Sequence, residues 1–376
     1  METSVVRVSD SKGMVEPVPP DRVPALAQVM TGLTLGIFDN ADVAGYLGRN
    51  DNWAGRTDAG RDVFVKRLNG AGAEARFDRT TAFERFVGER SFDGWSVPTY
   101  LGGDRASRIV AFERITDGVS AAELLADDTL DTVFAERAGR ALGELHARPA
   151  PVQDGQRGEP RGGVGNRMRA LELADYADCS GADLEAWSLL QHDRQLARAL
   201  DRLAGQSAVA ARVPSHCDLR LDQFLLVGTE MYIVDWEEFR LADAAIDLGS
   251  FAGELLHRAA AQMFAGLGGD ADAEPVIDAG EVHAQLVRRG AEELDKVRVL
   301  ISAFWAGYRE RRADAADASL AERATAYAGW HLFDRLLAAS MFSASLTAAQ
   351  RGMVGIGRNA LVNPDKFVGS VGLSQE

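Results

Sequence analysis

Several kinds of residue and segment are scarce in this chain of 376 residues, and each scarcity excludes a class of protein. Two cysteines, Cys179 and Cys217, are too few for a disulfide framework, which indicates a reducing compartment. No run of about 18 apolar residues occurs, so the sequence predicts no transmembrane helix. The first residues, METSVVRVSDSKG, lack the basic and then apolar pattern of a signal peptide. We therefore expect a cytoplasmic protein without a membrane partner.

Positive charge is also scarce. Lys and Arg together number 41 against 56 Asp and Glu, which gives a formal net charge of −15. This balance argues against a nucleic-acid partner, because nucleic-acid binders present a basic face. It suits a cationic substrate or a phosphate–metal complex held by carboxylates. Only four of the cations are lysines (Lys12, Lys66, Lys296 and Lys366). A lysine inside a predicted strand is therefore a candidate for a position that requires an ammonium group.

The familiar short motifs of nucleotide and metal binding are absent as well. The chain contains no G-x-x-x-x-G-K-[ST] segment, which leaves a P-loop enzyme unsupported. It contains neither H-E-x-x-H nor C-x-x-C, which makes a zinc site of those kinds unsupported.

Hydrophobic residues (46%) and charged residues (26%) occur in globular proportions. Residues 1–20 are polar and proline-containing, and we expect a flexible arm there. Residues 21–115 show strand patterns with one helical segment, TTAFERFVGER, whereas residues 116–376 show mostly helical spacing with one embedded hairpin. The predicted class is α+β, with a small β-rich N-terminal lobe and a larger helical C-terminal lobe.

Lys66 lies in the predicted strand DVFVKRL, on the same face as Phe64 and Leu68. A lysine between apolar neighbours either extends to solvent at a sheet edge or points into a cleft. The residues alone leave both interpretations open.

A second segment, SHCDLRLDQFLLVGTEMYIVDWEEF, predicts a hairpin with a turn at Gly228, Thr229 and Glu230. If Val227 faces Met231, then Gln223 faces Asp235, and opposed side chains lie on one face about 5 Å apart. Asp218 precedes the hairpin on the loop that enters the same end. Three oxygen-bearing side chains together favour a hard cation such as Mg²⁺, and the alternative is a surface hairpin whose polar ends face water.

These residues carry a resemblance to a known family. His216-Cys217-Asp218, then Gln223, then Ile233-Val234-Asp235-Trp236, resemble the catalytic and metal-binding segments of aminoglycoside phosphotransferases and choline-kinase-like enzymes, which share the bilobal protein-kinase-like fold. The resemblance implies that Asp218 is the catalytic base and that Gln223 and Asp235 bind the metal, with Gln223 in place of the family's Asn. It also implies that His216 orients the catalytic loop and that Asp247 ties this loop down. Arg220 is expected to neutralise the transferring phosphate, or else to form a surface ion pair with Asp222.

On the nucleotide side, the resemblance implies that Lys66 contacts the phosphates and is held by a glutamate of the next helix. Glu84 is the first candidate for that partner, and Glu74 and Glu89 are lesser ones. The alternative for Glu84 is a capping box that begins at Thr81. Asn52 is expected to contact the phosphates, and the backbone of Glu113 and Ile115 is expected to meet the adenine.

The resemblance implies a Mg²⁺-dependent phosphotransferase that moves the γ-phosphate of ATP or GTP to a hydroxyl of a small molecule or peptide. We expect the acceptor to be cationic and to bind the helical lobe, near residues 151–170 or the acidic helices that follow Glu237. Two alternatives remain open. One is a tailoring enzyme that phosphorylates Ser or Thr of a precursor peptide in lanthipeptide-type biosynthesis, whose helical C-terminal region would bind a leader peptide or a partner protein. The other is a nucleotide-binding pseudokinase or scaffold.

Overall fold

The computed structural model describes residues 18–38, 43–46, 49–88, 91–149, 173–265, 279–312, 317, 319–341 and 343–374. Most of the predicted flexible arm, residues 1–17, lies outside this part of the chain, as do Glu89 and the loop 151–170. Two compact units are present. The first comprises Met1–Arg90, Ser96–Gly118 and Tyr232–Glu238, and the second comprises Ser91–Trp95, Val119–Met231 and Phe239–Glu376. None of the helices described is both long enough and apolar enough to cross a bilayer.

The first unit is built on a five-stranded antiparallel sheet in the order β1-β2-β3-β5-β4. Its strands are β1 (Ala44–Tyr46), β2 (Asp51–Arg56), β3 (Asp62–Arg67), β4 (Tyr100–Asp104) and β5 (Ile109–Glu113). Each pair with a defined register is antiparallel.

The two faces of this sheet bury different residues. Val63 and Val65 of β3 belong to a core cluster with helix α1 (Pro24–Gly32), whereas Leu68 belongs to a cluster with the start of helix α2 (Ala73–Val87). The predicted alternation along β3 therefore holds, and Lys66 lies on the α2 face.

Helix α2 is longer than the sequence suggested. It begins at Ala73 and has Gly72 as its N-cap, so Thr81 lies within the helix and starts no capping box. The capping-box interpretation of Glu84 is therefore wrong. The reason is that Ala73, Phe77 and Thr80 give the first two turns of the helix a buried face. The charged residues between them obscured this helical pattern in the sequence.

A short segment from late in the sequence completes the first unit. Residues Trp236–Glu238 form a 3-10 turn, and the Trp236 ring stacks on Phe83 of α2 with 3.9 Å between centroids. Arg79 of α2 donates from Nε to the carbonyl oxygen of Glu237 at 2.9 Å. These contacts fix the turn against the helix and so set the direction of its acidic side chains.

The second unit is mostly helical. Its helices are α3 (Ala121–Ala126), α4 (Thr132–Ala147), α5 (Leu173–Asp178), α6 (Gly181–His192), α7 (Arg194–Val209), α8 (Ala245–Phe264), α9 (Ala279–Arg311), α10 (Leu320–Ser340), α11 (Ala348–Val362) and α12 (Pro364–Val371). Short strands accompany them: β6 (Val119–Ser120), β7 (Arg212–Ser215), β8 (Phe224–Val227) and β10 (Arg240–Asp243), with β7 paired to β10 and β6 paired to β8. Strand β9 (Glu230–Ile233) begins in this unit and ends in the first, which includes Tyr232 and Ile233.

Helices α4 and α9 approach each other through glycine. A Cβ on Gly139 would lie 1.9 Å from the carbonyl oxygen of Phe304, and a Cβ on Gly307 would lie 2.1 Å from that of Glu136. No side chain larger than hydrogen fits at either position, so this close crossing depends on both glycines. It places His146 near the end of α4 beside Tyr308 of α9.

The hairpin differs in detail from its prediction. Its turn is Gly228-Thr229, and Glu230 is already the first residue of β9. Gln223 ends a 3-10 turn (Leu221–Gln223) before β8, and Asp235 follows the end of β9. The prediction that these two residues face each other within the strand ladder is therefore wrong, because short strands end before reaching them.

Candidate functional site

Lys66 is at the centre of an ionic cluster in the first unit. Its ammonium lies 2.5 Å from Oδ1 of Asp235 and 2.6 Å from Oε2 of Glu237, and its side chain is only 11% exposed. That burial excludes a lysine that extends to solvent at a sheet edge. The structure thus brings together two residues singled out from the sequence, Lys66 and Asp235, and adds a third, Glu237.

Glu237 was missed by the sequence reasoning. Its buried carboxylate accepts hydrogen bonds from Nη2 of Arg49 at 2.7 Å, Nδ2 of Asn50 at 3.0 Å and Nη1 of Arg76 at 3.1 Å, besides the Lys66 contact. In the sequence DWEEF, nothing about the two consecutive glutamates after Trp236 indicated that one of them would be buried away from water. The only available signal was the adjacent tryptophan, which anchors the turn in the core.

The charges in this cluster shift one another's pKa. Burial by itself would lower the pKa of Lys66, but the negative charges of Asp235 and Glu237 outweigh it and the pKa is raised. Burial by itself would raise the pKa of Glu237, but Lys66 and the neighbouring arginines lower it to about 2. Both groups are therefore charged at neutral pH, and the cluster can attract an anion or a metal–anion complex.

Asp235 retains capacity to bind a cation. Its backbone has a φ of 69°, a left-handed conformation that side chains seldom adopt and that proteins concentrate at functional sites. Its side chain is 25% exposed, and within the described part of the chain only Oδ1 has a polar partner. Oδ2 is left as an oxygen ligand of the kind that Mg²⁺ takes.

Glu84, the first candidate for the lysine's partner, lies elsewhere in the first unit. Among the described residues its carboxylate makes no ion pair or hydrogen bond. Burial raises its pKa to about 7, and its charge contributes to the raised pKa of Tyr100. Glu74 is exposed and lies 3.5 Å from Arg105, also away from Lys66.

Two of the three remaining nucleotide-side candidates, Asn52 and Glu113, lie in strands. Asn52 is a residue of β2, directly opposite Lys66 on β3, and donates from Nδ2 to the carbonyl oxygen of Asn50. Glu113 ends β5, and its N–H donates to the carbonyl oxygen of Thr99 at 2.8 Å. An adenine contact from Glu113 would therefore use its carbonyl oxygen. Ile115 follows in the segment after β5.

In the second unit, the loop after β7 carries His216 and Asp218. The buried carboxylate of Asp247 on α8 accepts hydrogen bonds from the backbone N–H groups of His216 and Cys217, each at 2.7 Å. Cys217 has a φ of 66°, so the loop turns sharply just before Asp218. Asp247 therefore holds the backbone on which Asp218 is presented.

Asp247 is itself fixed by a chain of buried aromatic groups. Nε2 of His146 lies 3.1 Å from Oδ2 of Asp247, and Nδ1 lies 3.1 Å from the hydroxyl of Tyr308. Burial tends to raise the pKa of Asp247, but the hydrogen bond and charge of His146 and the loop N–H groups lower it overall. The sequence did not reveal His146 and Tyr308, because their helices are distant in the chain.

The same loop carries Arg220 and Gln223. Nε of Arg220 lies 3.2 Å from Oδ1 of Asp222, which is the surface ion pair considered from the sequence. Oε1 of the buried Gln223 accepts from the Arg220 N–H at 2.8 Å, and its Nε2 has no partner among the described residues. The amide oxygen keeps one lone pair for a metal, and the amide nitrogen keeps its protons for an acceptor.

Within the part of the chain that the structure describes, no group of three or more His, Cys, Asp or Glu side chains is arranged to hold a metal by itself. A metal bound through Asp235 would need oxygens from a ligand, water or an amide. This is the usual situation of Mg²⁺ with nucleotide phosphates, so the residues present fit that ion.

Comparison with known proteins now adds to this geometry. The model of the phosphotransferase enzyme family, which includes the aminoglycoside phosphotransferases, matches residues 47–280, more than half of the chain. The chain belongs to the phosphotransferase enzyme family. The resemblance noted from His216, Asp218 and Asp235 is thereby confirmed. The predicted α+β class of this family, with a small antiparallel sheet region and a larger helical part, is confirmed too.

Solved structures similar to this phosphotransferase-family chain include three kinases. Amicoumacin kinase hAmiN in complex with AMP-PNP, Ca²⁺ and Ami is 13% identical, with 89% of this chain and 92% of that chain covered and a TM-score of 0.48. A putative fructosamine-3-kinase from Thermobifida fusca is 19% identical, with 85% and 93% covered and a TM-score of 0.45. Choline kinase LicA from Streptococcus pneumoniae is 14% identical, with 82% and 96% covered and a TM-score of 0.42. Among curated protein sequences, none matches this chain.

Proposed function

We propose that this chain is a phosphotransferase that moves the γ-phosphoryl group of a Mg²⁺-bound nucleotide, ATP or GTP, to a hydroxyl group. The observation that carries the proposal is the buried ammonium of Lys66 between Asp235 and Glu237, in a chain that belongs to the phosphotransferase family. Catalysis of this kind consists mainly of positioning and charge neutralisation, for which the reacting groups must be held rigidly.

In this proposal the first unit holds the nucleotide. Lys66 contacts the phosphates, Asp235 supplies an oxygen ligand to Mg²⁺, and Asn52 lies opposite Lys66 on the neighbouring strand. The metal would neutralise the charge that develops on the phosphoryl oxygens. The carbonyl of Glu113 and the backbone of Ile115 are the proposed adenine contacts.

The second unit supplies the group that acts on the acceptor. Asp218 orients the hydroxyl and accepts its proton, Arg220 offsets the charge of the transferred group, and Gln223 contributes an amide to the metal or the phosphates. Support for this assignment comes from the anchored loop: Asp247 fixes the backbone at His216 and Cys217, immediately before Asp218. A base placed on a fixed backbone loses little entropy in reaching the reactive geometry.

The acceptor is proposed to be a small hydroxyl compound that carries a positive charge. The formal net charge of −15 favours the approach of a cation. A peptide acceptor that presents Ser or Thr next to basic residues satisfies the same requirement, so both belong in the substrate panel.

One observation favours the alternative of a nucleotide-binding pseudokinase. Asp235 is already paired with Lys66, and Oε1 of Gln223 already caps its own turn, so both proposed metal ligands have partners within the protein. A protein of this kind would bind nucleotide without transferring phosphate.

Phosphate transfer from labelled ATP and GTP to a panel of aminoglycosides, amino alcohols and Ser/Thr peptides tests the proposal. We expect Mg²⁺-dependent transfer to at least one acceptor, and a loss of about 10³-fold in kcat when Asp218 is changed to Ala, because its general-base contribution is of that order. Asp235→Ala should instead weaken Mg²⁺-dependent nucleotide binding.

Asp222→Asn is the matched control, since Asp222 is an exposed carboxylate on the same loop. It should retain activity within about threefold, as expected for the loss of a surface ion pair. Nucleotide binding by the wild type without transfer to any acceptor would favour the pseudokinase. Equal transfer by Asp218→Ala and wild type would instead contradict the assignment of Asp218 as the base.

A further inference from the structure

The family resemblance assigns the partner of the phosphate-binding lysine to a glutamate of the next helix, but the geometry here differs. Helix α2 presents a buried arginine, Arg76, to the cluster that contains Lys66, and Arg76 binds the same carboxylate as Lys66 does. The acid that meets the lysine comes from the 3-10 turn after Asp235.

We propose that Glu237, and not a glutamate of α2, is the residue that positions Lys66 for the nucleotide phosphates, and that Arg76 holds Glu237 in place. This inference rests on the proposed function, because it concerns the same nucleotide site. Glu237 acts through Lys66 and is therefore a positioning residue.

The two carboxylates beside Lys66 are not equivalent. The side chain of Glu237 is 5% exposed and is bound by groups from three parts of the first unit: the turn before β2, strand β3 and helix α2. The side chain of Asp235 is 25% exposed and, among the described residues, binds only Lys66. Asp235 is therefore the carboxylate that would bind a metal ion, while Glu237 would remain paired with the lysine.

Because several cations share the carboxylate of Glu237, the positive charge that phosphates require is preserved. Glu237 carries one negative charge and is in contact with three cations, Lys66, Arg49 and Arg76. A glutamate paired with Lys66 alone would cancel its charge locally, whereas here an excess of positive charge remains. Lys66 is thereby fixed in position and still attracts an anion.

The same carboxylate organises the turn before β2. Nδ2 of Asn50 donates to Glu237, and Oδ1 of Asn50 accepts from the N–H of Asn69 and from Arg76. This turn precedes Asn52, which the family resemblance implies as a phosphate contact. Glu237 therefore connects Lys66 with a second element of the proposed phosphate site.

Nucleotide binding by full-length variants tests the inference. Titration calorimetry is carried out with Mg²⁺-ATP or Mg²⁺-GTP, whichever the wild type binds, and with the corresponding nucleoside, which lacks phosphates. Glu237→Gln should weaken nucleotide binding about tenfold or more and change nucleoside binding by less than about twofold, since only the phosphates depend on Lys66.

Glu238→Gln is the matched control, because Glu238 is the next residue, is also buried, and pairs with Arg79 outside the lysine cluster. It should leave the ratio of nucleotide to nucleoside affinity within about twofold of the wild-type ratio. Circular dichroism and thermal melting establish that each variant folds. If Glu237→Gln does not fold, Glu237→Asp replaces it; this variant keeps the charge, should weaken nucleotide binding by about threefold or more, and contradicts the inference if it does not.

A double-mutant cycle separates positioning from general support of the fold. In a Lys66→Met background, Glu237→Gln should produce a clearly smaller loss of nucleotide affinity than it does in the wild type, because only its effect through the turn before β2 remains. An equal loss with and without Lys66, or a larger loss of nucleotide affinity in Glu84→Gln than in Glu237→Gln, overturns the inference and leaves the proposed function standing. Failure of the wild type to bind either nucleotide overturns both.

Discussion

The lysine cluster of the first unit and the Asp218 loop of the second unit are organised by different kinds of interaction. Around Lys66, charged side chains contact one another directly, and one carboxylate serves three cations. Around Asp218, a single buried carboxylate, Asp247, binds backbone N–H groups and a histidine. The first arrangement concentrates charge, and the second fixes a backbone.

Under the proposed function, this difference corresponds to different tasks. A phosphate-binding site has to provide an electric field, and several charges can share that role, so the loss of one is partly compensated. A loop that presents a catalytic base has to provide a position, and the loss of its one anchor has no compensation. Loss of the Asp247 anchor should therefore affect turnover, and substitutions in the lysine cluster should affect nucleotide affinity.

The largest effect is expected from Asp247→Asn. An Asn side chain has only one oxygen that can accept a hydrogen bond from the two loop N–H groups. Its amide nitrogen cannot accept from the other N–H, which is left buried and unpaired at a cost of about 1–3 kcal/mol. The displaced loop should lower kcat about 100-fold while the affinity for nucleotide changes less than threefold. Steady-state kinetics and nucleotide titration measure the two quantities.

Glu254→Gln controls for this substitution, since Glu254 is another largely buried carboxylate of α8 and pairs with His331 at 2.6 Å. It should lower stability without lowering kcat more than about threefold. An equal fall in kcat for both variants, or a fall in nucleotide affinity for Asp247→Asn, would remove the distinction between the two units.

An intermediate effect is expected from the pH dependence of stability. The pKa of Glu84 is raised by burial to about 7, above its usual value of 4.5. The folded state therefore holds this proton more tightly than the unfolded state, and stability should fall as pH rises from about 4.5 to 7. Glu84→Gln removes this loss and, because the side chain is partly exposed, should stabilise the protein at pH 8 by about 2 kcal/mol.

Glu237 contributes a pH dependence of stability with the opposite sign. Its pKa is lowered to about 2, so it contributes stability above about pH 4.5 that is lost as the pH falls toward 2. Denaturant unfolding of wild type, Glu84→Gln and Glu237→Gln between pH 2 and pH 8 measures both effects. A wild type whose stability rises steadily up to pH 8, with no gain in Glu84→Gln, would contradict the buried state of Glu84.

The smallest effect is expected from Gln223→Glu. This change keeps the oxygen that accepts from the Arg220 N–H and replaces the unpartnered Nε2 by a second, charged oxygen. If Gln223 is a metal ligand, the Mg²⁺ concentration for half-maximal activity should fall about threefold, because a carboxylate binds Mg²⁺ better than an amide does. Mg²⁺ titrations at saturating nucleotide measure it.

Weaker nucleotide binding by Gln223→Glu at saturating Mg²⁺ would give the opposite conclusion. The amide nitrogen would then be the functional atom, donating to a phosphate oxygen that a carboxylate repels. Gln223→Met, of similar size but without the amide, separates this electrostatic effect from a change of shape.

The family resemblance, and the choice of Lys66 and Asp235 as candidate site residues, could be predicted from the sequence because each depends on residues that are close together in the chain. Alternation along β3 placed Lys66 with Leu68, and spacing around Asp218 indicated the family. The predicted pairing of Gln223 with Asp235 was wrong. It assumed strands that continue to both residues, whereas β8 and β9 end before reaching them because the local backbone turns.

The sequence by itself determined the α+β class, the strand that carries Lys66 and the family to which the chain belongs, since these follow from periodicity and short motifs. Only the tertiary structure decided which acid meets the lysine. Glu84 is 18 positions from Lys66 in the sequence, whereas Glu237 is 171 positions away, yet it is Glu237 that lies 2.6 Å from the ammonium. The choice depends on desolvation and shared charge, which arise when distant segments pack and have no counterpart in the order of residues along the chain.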